Sequence, residues 1–334
     1  MGRIAASKII AEFEPFERRG LLLYTQDNAR RRTLRKWSVA GKLVSPYPGL
    51  FAQPTFWSPL DRTEQEICKL KTLAEMHPDW TFCSFSAAVL QGLSVSYSLL
   101  GQVHVIRPTR RHGGDTKQLR SHTFRDAPTM IEASGIRATS IPYTVAECLL
   151  DAPFRCGLAL ADSALHLGLI SPEMLKVYVQ TIGHDRRGVG RARKVADLAD
   201  GRAESGGESL ARAAMLELGF SAPDLQVRFR DPVDPSRHFR VDFLWTLGEG
   251  KRVVGEFDGK SKYHVEHMTG GATSEAIFEA ERQRESRLTL LGMPVVRFEA
   301  SDLRKPALFA RKLRAAGIPQ DEDRAFRTDP RDLM

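Results

Sequence analysis

The residues best suited to metal chemistry lie in two runs near the C-terminal end, 240–245 and 252–258. Both runs are rich in Val and Phe, and a Gly-containing segment separates them, which predicts a β-hairpin. With the turn centred on Glu249, Asp242 and Glu256 are equally distant from it and face each other across the strands. Directly opposed Cβ atoms lie about 4.5–5.5 Å apart, so the two carboxylates repel unless a cation lies between them.

A third acidic residue extends this cluster. Side chains alternate along a strand, so Asp258 is predicted to share a face with Glu256 and Asp242, while Phe257 points the other way with Val241 and Phe243. Such a set of hard oxygen ligands suits Mg²⁺, which prefers carboxylates and keeps several waters. The alternative interpretation is a solvated acidic face on an edge hairpin.

The composition is that of a globular protein with an excess of basic residues. The chain has 334 residues, of which 42% are hydrophobic and 27% charged, and its formal net charge is +8. That length predicts two or three domains, and the charge favours a polyanionic partner. No apolar run approaches the roughly 20 residues of a membrane span, and the N-terminal residues lack the apolar core of a signal peptide. A cytoplasmic protein without a membrane partner is therefore expected.

The cysteines and histidines show no spacing typical of a metal-binding motif. Neither a disulfide framework nor a zinc site is indicated by the four dispersed cysteines, which are Cys68, Cys83, Cys148 and Cys156. They are interpreted as small buried apolar residues. Three histidines that fall in separate predicted elements are interpreted as structural, namely His104, His122 and His166.

Residues 1–60 are predicted to form a winged helix-turn-helix-like module. Residues 25–28 offer several N-cap side chains, and helix formers follow over 29–37. Two short strands around Pro48-Gly49 then form the wing. In such a module the helix enters the major groove, where basic side chains contact phosphates and guanine edges. The candidate nucleic-acid contacts are Arg30, Arg31, Arg32, Arg35 and Lys36. The alternative interpretation is a solvated basic helix.

Composition divides the remaining chain into four parts. Residues 61–182 mix short strands with helices and are predicted to form an α/β module. Residues 183–202 are glycine-containing and basic, which favours a basic linker, with a phosphate-contacting arm as the alternative. Residues 203–318 show the element order αβββαβα, including a long helix over 274–291, and residues 319–334 form a polar tail. The expected fold class is mixed α/β in a multidomain chain.

Several apolar motifs follow the winged helix in a fixed order. They are S-x-S-A-A-x-L-x-G-L, V-H-V-x-R-P, G-I-x-A-T-S, A-L-A-D-x-A-L and G-x-I-S-P-E, all between residues 15 and 180. This order resembles the AbiEi-type antitoxin and transcriptional regulator family of actinobacteria. The resemblance implies that the N-terminal module binds DNA and that the protein belongs to a toxin–antitoxin context.

The C-terminal domain resembles the PD-(D/E)XK nuclease core. Its element order, with Asp242 on the second strand and Glu256 on the third, matches that core. E-F-D-G followed by R-E-x-x-L-x-x-L-G-x-x-V-x-R-F is similar to a bacterial branch related to very-short-patch-repair endonucleases, over residues 203–316. The standard signature places a lysine two residues after the glutamate, where this chain has Asp258.

The resemblance implies phosphodiester hydrolysis that depends on Mg²⁺ or Mn²⁺. The residues that it assigns to metal binding are Asp242, Glu256, Asp258 and Glu208. Besides Asp242 and Glu256, the residues assigned to catalysis are Lys260 and Lys262, either of which takes the task of the signature lysine. Arg284 is expected to hold a phosphate.

Two functions follow from these patterns. The expected function is that of a DNA-binding protein with a Mg²⁺-dependent endonuclease domain. The alternative is a non-catalytic DNA-binding regulator or antitoxin with a degenerate nuclease fold, which Asp258 in place of the lysine favours. DNA is the expected partner, RNA stays an alternative, and formation of a homodimer is left open.

Overall fold

The computed structural model describes residues 11–106, 115–123, 128–133, 135–259, 282, 286–288 and 290–326. They form a mixed α/β structure, which confirms the predicted fold class. The chain divides into two compact units, Met1–Cys148 and Leu149–Met334. This division differs from the predicted boundaries, because residues 149–202 belong to the same unit as the C-terminal sheet.

The N-terminal part of the first unit contains the predicted helix and wing. Its elements are α1 (Glu14–Glu17), α2 (Asn28–Val39), β1 (Val44–Tyr47), β2 (Leu50–Ala52) and α3 (Pro54–Trp57). Asp27 caps α2, since its side chain accepts a hydrogen bond from the Ala29 N–H at 2.8 Å. Strands β1 and β2 pair in antiparallel fashion. Leu34 is fully buried among Phe13, Leu23, Leu43 and Phe51, and this small core fixes the inner face of α2.

The rest of the first unit is built on a five-stranded sheet. Its elements are α4 (Arg62–Met76), β3 (Thr81–Phe82), α5 (Ser84–Leu90), β4 (Val103–Ile106), β5 (Leu119–His122), β6 (Met130–Ala133), β7 (Ile136–Thr139) and α6 (Ile141–Asp151). The strand order is β5-β4-β3-β7-β6, with β3–β7 and β4–β5 parallel. Strand β3 has only two residues, which is too few to show an alternating pattern in the sequence.

The second unit begins with four helices, α7 (Phe154–His166), α8 (Pro172–Gly183), α9 (Val189–Leu198) and α10 (Gly206–Glu217). The predicted basic linker over 183–202 therefore contains a helix. Ala192, Val195 and Ala196 on α9 are buried, at the spacing of three and four residues that marks one helix face. The surrounding arginines and glycines obscured this short apolar face in the sequence.

A four-stranded sheet follows these helices. Its elements are β8 (Asp224–Arg230), β9 (His238–Thr246), β10 (Arg252–Asp258), β11 (Val295–Glu299), α11 (Ala300–Leu303) and α12 (Pro306–Ala315). The strand order is β11-β10-β9-β8, in which β10 and β11 are parallel and the other pairs antiparallel. Of the predicted helix over 274–291, residues 282, 286–288 and 290 are described and helical.

Helix α10 is tied to α7 by two buried ion pairs. Arg212 donates to both carboxylate oxygens of Asp162, at 2.7 and 2.8 Å, and Arg155 Nε lies 2.5 Å from Glu217 Oε2. All four side chains are almost completely buried. Since α10 also carries Glu208 in its first turn, these pairs determine where that carboxylate lies.

Among the described residues, no helix combines the length and the apolar character that crossing a bilayer requires.

We predict that Arg212→Met destabilises the second unit by about 3–5 kcal/mol, because it leaves Asp162 buried without its cation. Hydrogen exchange of the α10 amides as a function of urea measures this loss. The control is Arg202→Met, which removes an exposed pair with Asp200 and should change the free energy by at most about 1 kcal/mol. Equal effects of the two substitutions would contradict the assignment of Arg212 as the anchor of α10.

Candidate metal centre and nucleic-acid interface

The hairpin between β9 and β10 has the predicted register. Arg252 pairs with Thr246 and Gly255 with Phe243, so the turn is centred on Glu249. Glu249 itself has φ 61°, in the left-handed region that a tight turn requires. Continuing the register by one residue places Asp242 opposite Glu256.

The strands depart from regular alternation at Asp242. Val241 packs with Leu244 on one side of the sheet, whereas Phe243 packs with Trp245 on the other. Regular alternation would place Val241 and Phe243 on the same face, so the backbone turns between them. The predicted common orientation of Val241 and Phe257 is therefore wrong, because Phe257 packs with the cluster of Phe243.

Gln226 lies opposite this irregularity on β8. The register pairs Leu225 with Phe243 and Val227 with Val241, which leaves Gln226 facing Asp242. Gln226 has φ 54°, a conformation that is costly for a residue other than glycine and that clusters at functional sites. The sequence gives no signal for Gln226, since strain of this kind arises only from the packing of the sheet.

The turned backbone directs the Asp242 carboxylate toward β10. Its Oδ2 atom accepts a hydrogen bond from the backbone N–H of Phe257 at 2.9 Å. This contact places the carboxylate beside Glu256, the residue that precedes Phe257 and that is itself buried. Asp242 is thus bonded to the strand residue that follows Glu256, through a side-chain contact that the predicted alternation along β9 does not explain.

Glu208 approaches the same position from α10. Its carboxylate accepts hydrogen bonds from the Glu204 N–H, the Ser205 hydroxyl and the Gln226 amide, at 3.0, 2.8 and 2.8 Å. Burial raises the pKa of Glu208, and the negative charge of Asp242 raises it further. Gln226, which faces Asp242 in the strand register, therefore links Glu208 to the position of Asp242.

Close packing of α10 on β10 leaves no room for a side chain at Gly207. A methyl group at this position would overlap the ring of Phe257. The small residue therefore lets the first turn of α10, with Glu208, lie directly on the strand that carries Glu256. Gly207 belongs to the site as the residue that permits this approach.

Asp258 is paired with an arginine, whereas a metal ligand would face a metal ion. Its Oδ1 atom lies 3.6 Å from Nη1 of Arg297 on β11, and both side chains are about one-third exposed. Arg297 is paired with Glu256 in the parallel register of β10 and β11. A guanidinium group from the neighbouring strand therefore lies beside Asp258. Arg297 is the last arginine of the sequence motif that ends in R-F, but the sequence assigned it no role.

Three predicted site residues, Lys260, Lys262 and Arg284, lie outside the described residues. Within the described part of the chain, the carboxylates at the end of β9 and β10 do not form a triad with all ligand atoms within 4.8 Å of one another. A metal ion here would accordingly take few protein ligands and several waters, which is the usual coordination of Mg²⁺.

The predicted nucleic-acid contacts on α2 fall into two groups. Arg31, Arg32, Arg35 and Lys36 are exposed, whereas Arg30 is only partly exposed and forms an ion pair with Glu12 at 2.6 Å. Arg30 is thus already neutralised by a carboxylate of its own unit. The other four basic residues form what we call the α2 basic face.

The α2 basic face borders a groove beside the wing. A cavity of about 570 Å³ is lined by Arg31 and Arg35 from α2 and by Ser45 and Tyr47 from β1. Arg31 also donates to the Thr25 carbonyl at 3.0 Å, which holds its guanidinium at the edge of this groove. Helix and wing therefore present cations and hydroxyl groups to the same space, as an anionic backbone would require.

Comparison with known proteins shows only distant relatives of this chain. No protein-family model matches it. It is similar to two Mycobacterium tuberculosis proteins, uncharacterized protein MT2308 of strain CDC 1551 / Oshkosh and uncharacterized protein Rv2248 of strain ATCC 25618 / H37Rv. Each is 28% identical over 224 residues, which cover 67% of this chain and 75% of the relative. These names carry no activity, so function has to be inferred from the geometry above.

We predict that Asp242→Asn lowers the pKa of Glu208 toward its ordinary value, because the substitution removes the adjacent negative charge and keeps an acceptor for the Phe257 N–H. Carbon-detected NMR titration of glutamate carboxyl groups measures the change. The exposed Asp224→Asn on β8 is the control and should leave the pKa of Glu208 unaltered.

The same substitution has a predicted effect on stability. Because the folded-state pKa of Glu208 is raised, the stability contributed by its protonated form is present at low pH and is lost as pH rises through that pKa. This loss should be smaller in Asp242→Asn than in the wild type. An unchanged pH dependence would mean that burial alone determines the pKa of Glu208.

Proposed function

We propose that the chain is a cytoplasmic DNA-binding protein whose C-terminal unit is a divalent-metal-dependent endonuclease. The observation that carries this proposal is the position of the Asp242 carboxylate. It bonds to the β10 residue that follows Glu256, and it faces Gln226, which donates to Glu208 on α10. The unit also has the αβββ and βα element order of the nuclease-like core.

The donor set fits Mg²⁺ or Mn²⁺. All three groups, those of Asp242, Glu256 and Glu208, are carboxylates, which hard divalent cations prefer. Asp242 and Glu256 would hold the ion, and Glu208 would contribute through its position beside Asp242. When bound, such an ion polarises a phosphoryl oxygen and lowers the pKa of a coordinated water.

The residues around the carboxylates have supporting roles. Gln226 fixes the orientation of Glu208 by donating to its Oε2 atom. Arg297 supplies a positive charge next to Asp258, and we propose that it stabilises phosphate charge in place of the signature lysine. The roles assigned to Lys260, Lys262 and Arg284 from the sequence stay predictions.

One observation favours a non-catalytic regulator as the second candidate. Asp258 occupies the position of the signature lysine and faces Arg297, so the acidic residue and the cation partly neutralise each other. In that case the C-terminal unit would bind DNA without cleaving it. Cleavage assays separate the two candidates, because only the first requires a divalent ion and Asp242.

We predict that the purified protein nicks supercoiled plasmid DNA in the presence of Mg²⁺ or Mn²⁺. Asp242→Asn and Glu256→Gln should each lower the rate on the order of 10²-fold or more, because each removes a charge that holds the ion. The rate of conversion to open-circular DNA on gels is the measurement. Single-stranded DNA and RNA are tested in parallel to define the substrate.

Asp224→Asn is the matched control for the cleavage assay, since it removes an exposed carboxylate from the same sheet. It should leave the rate unchanged. Equal nicking by the wild type and Asp242→Asn would assign the activity to a contaminant. Metal-independent DNA binding without any cleavage would select the regulator.

We predict that the α2 basic face supplies phosphate contacts. Arg35→Gln should weaken DNA binding and lower the slope of log affinity against log salt by about 0.9, the value for one lost phosphate contact on duplex DNA. Arg30→Gln is the control on the same helix, and its smaller effect follows from its ion pair with Glu12. Fluorescence anisotropy over a salt series measures the slopes of both variants. Equal slopes would mean that the DNA does not contact the α2 basic face at Arg35.

A further inference from the structure

A second cluster of metal-ligating side chains lies in the first unit. Cys83, His122 and Glu147 each offer one ligand atom, and these atoms all lie within 4.8 Å of one another. Cys83 precedes α5, His122 ends β5, and Glu147 lies in α6. Among the described residues this is the one such group of three. It joins three elements that are far apart in sequence.

Glu147 is buried with one oxygen that makes no hydrogen bond. Its Oε2 atom accepts the backbone N–H of Ser84 at 3.1 Å. Its Oε1 atom lies 3.0 Å from Nδ1 of His122, yet the two are not oriented for a hydrogen bond. A buried carboxylate oxygen without a hydrogen bond is costly. The short distance between Glu147 Oε1 and His122 Nδ1 indicates that these two atoms face a common point.

The other ring nitrogen of His122 is oriented by a second histidine. His122 Nε2 lies 2.9 Å from His104 Nδ1, so one nitrogen donates and the other accepts. When His104 accepts, a neutral His122 directs the lone pair of Nδ1 toward Glu147. Two facing lone pairs repel unless a cation lies between them.

This arrangement is common around metal-bound histidine. Such a histidine usually donates its second ring N–H to a nearby acceptor, which fixes the tautomer and the ring orientation. His104 is itself held in place, since the Ser86 hydroxyl accepts its backbone N–H at 2.9 Å and its carbonyl accepts the Cys83 N–H at 3.1 Å. The acceptor His104 and the candidate ligand Cys83 are therefore held together by a backbone hydrogen bond.

Cys83 supplies the third ligand. Its thiol is fully buried. A coordinated divalent ion would stabilise the thiolate form of Cys83. Ser84, the next residue, has φ 49° and is held by its bond to Glu147. Strained backbone thus adjoins the candidate ligand, as it often does at functional sites.

We propose that Cys83, His122 and Glu147 bind a zinc ion, with His104 as a positioning residue for His122. One sulfur, one nitrogen and one oxygen form a set that Zn²⁺ accepts in tetrahedral geometry. Ligand bonds of about 2.0–2.3 Å place neighbouring ligand atoms roughly 3–4 Å apart, in keeping with the compact cluster observed. The fourth position is left to water. The ion fastens the start of α5 and the end of β5 to α6.

The test uses the untagged full-length protein, stripped of metal under reducing conditions. Zinc titration against a chromophoric chelator should give one tight site per chain and raise the melting temperature. Cobalt substitution should give a thiolate-to-cobalt charge-transfer band, which a purely carboxylate site cannot produce. Cys83→Ser should abolish that band and weaken zinc binding at least about 100-fold. Cys68→Ser, which alters a buried cysteine outside the cluster, should change neither.

A second measurement keeps the test decisive if Cys83→Ser does not fold. In the wild type, zinc should slow alkylation of Cys83, mapped by mass spectrometry, and leave the alkylation of Cys68 unchanged. Glu147→Gln and His122→Gln should remove this protection. Absence of the cobalt band, or equal alkylation of Cys83 with and without zinc, would overturn the proposal. The cluster would then be a buried ion pair of His122 with Glu147.

Discussion

The anchoring of α10 is the constraint on which the C-terminal site depends. Arg212 and Glu217 each form a buried ion pair with α7, so the helix cannot shift along the sheet without breaking one of them. Breaking such a pair leaves an uncompensated buried charge, which costs several kcal/mol. Glu208, in the first turn of the same helix, is therefore held near Asp242 despite their repulsion. Burial is the first cause of the raised pKa of Glu208, and the negative charge of Asp242 adds to it.

The sheet responds to the same constraint by local distortion. At Gln226 and Asp242 the paired strands β8 and β9 depart from regular geometry. Each of these two residues forms a hydrogen bond through its side chain instead of a regular backbone pairing with the other strand. Gln226 reaches up to Glu208, and Asp242 reaches across to the Phe257 N–H. Together these bonds connect α10, β8, β9 and β10 at one point. A regular sheet would have directed the Asp242 side chain elsewhere, so the distortion is what assembles the acidic group.

The sequence predicts what is local and misses what is not. The hairpin register follows from two apolar runs about Glu249, and α2 follows from its cap and its buried Leu34, since each depends on neighbours in the chain. Helix α9 was missed because only Ala192, Val195 and Ala196 mark its inner face within a basic segment. The cluster of Cys83, His122 and Glu147 could not be found from spacing. Its members meet only after β3, β5 and α6 have packed, and histidines in separate elements give no motif.

The two candidate metal sites pose the same electrostatic problem but call for different ions. Each has a buried carboxylate whose charge is not fully compensated. Glu208 is affected by the negative charge of Asp242, and Glu147 has one oxygen that makes no hydrogen bond. The first site offers only oxygen ligands on distorted strands that leave room for water, which favours Mg²⁺. The second adds sulfur and nitrogen in a closed interior, which favours Zn²⁺. Under the two proposals, this difference in ligands would let one chain keep an exchangeable ion for chemistry apart from a tightly held ion for structure.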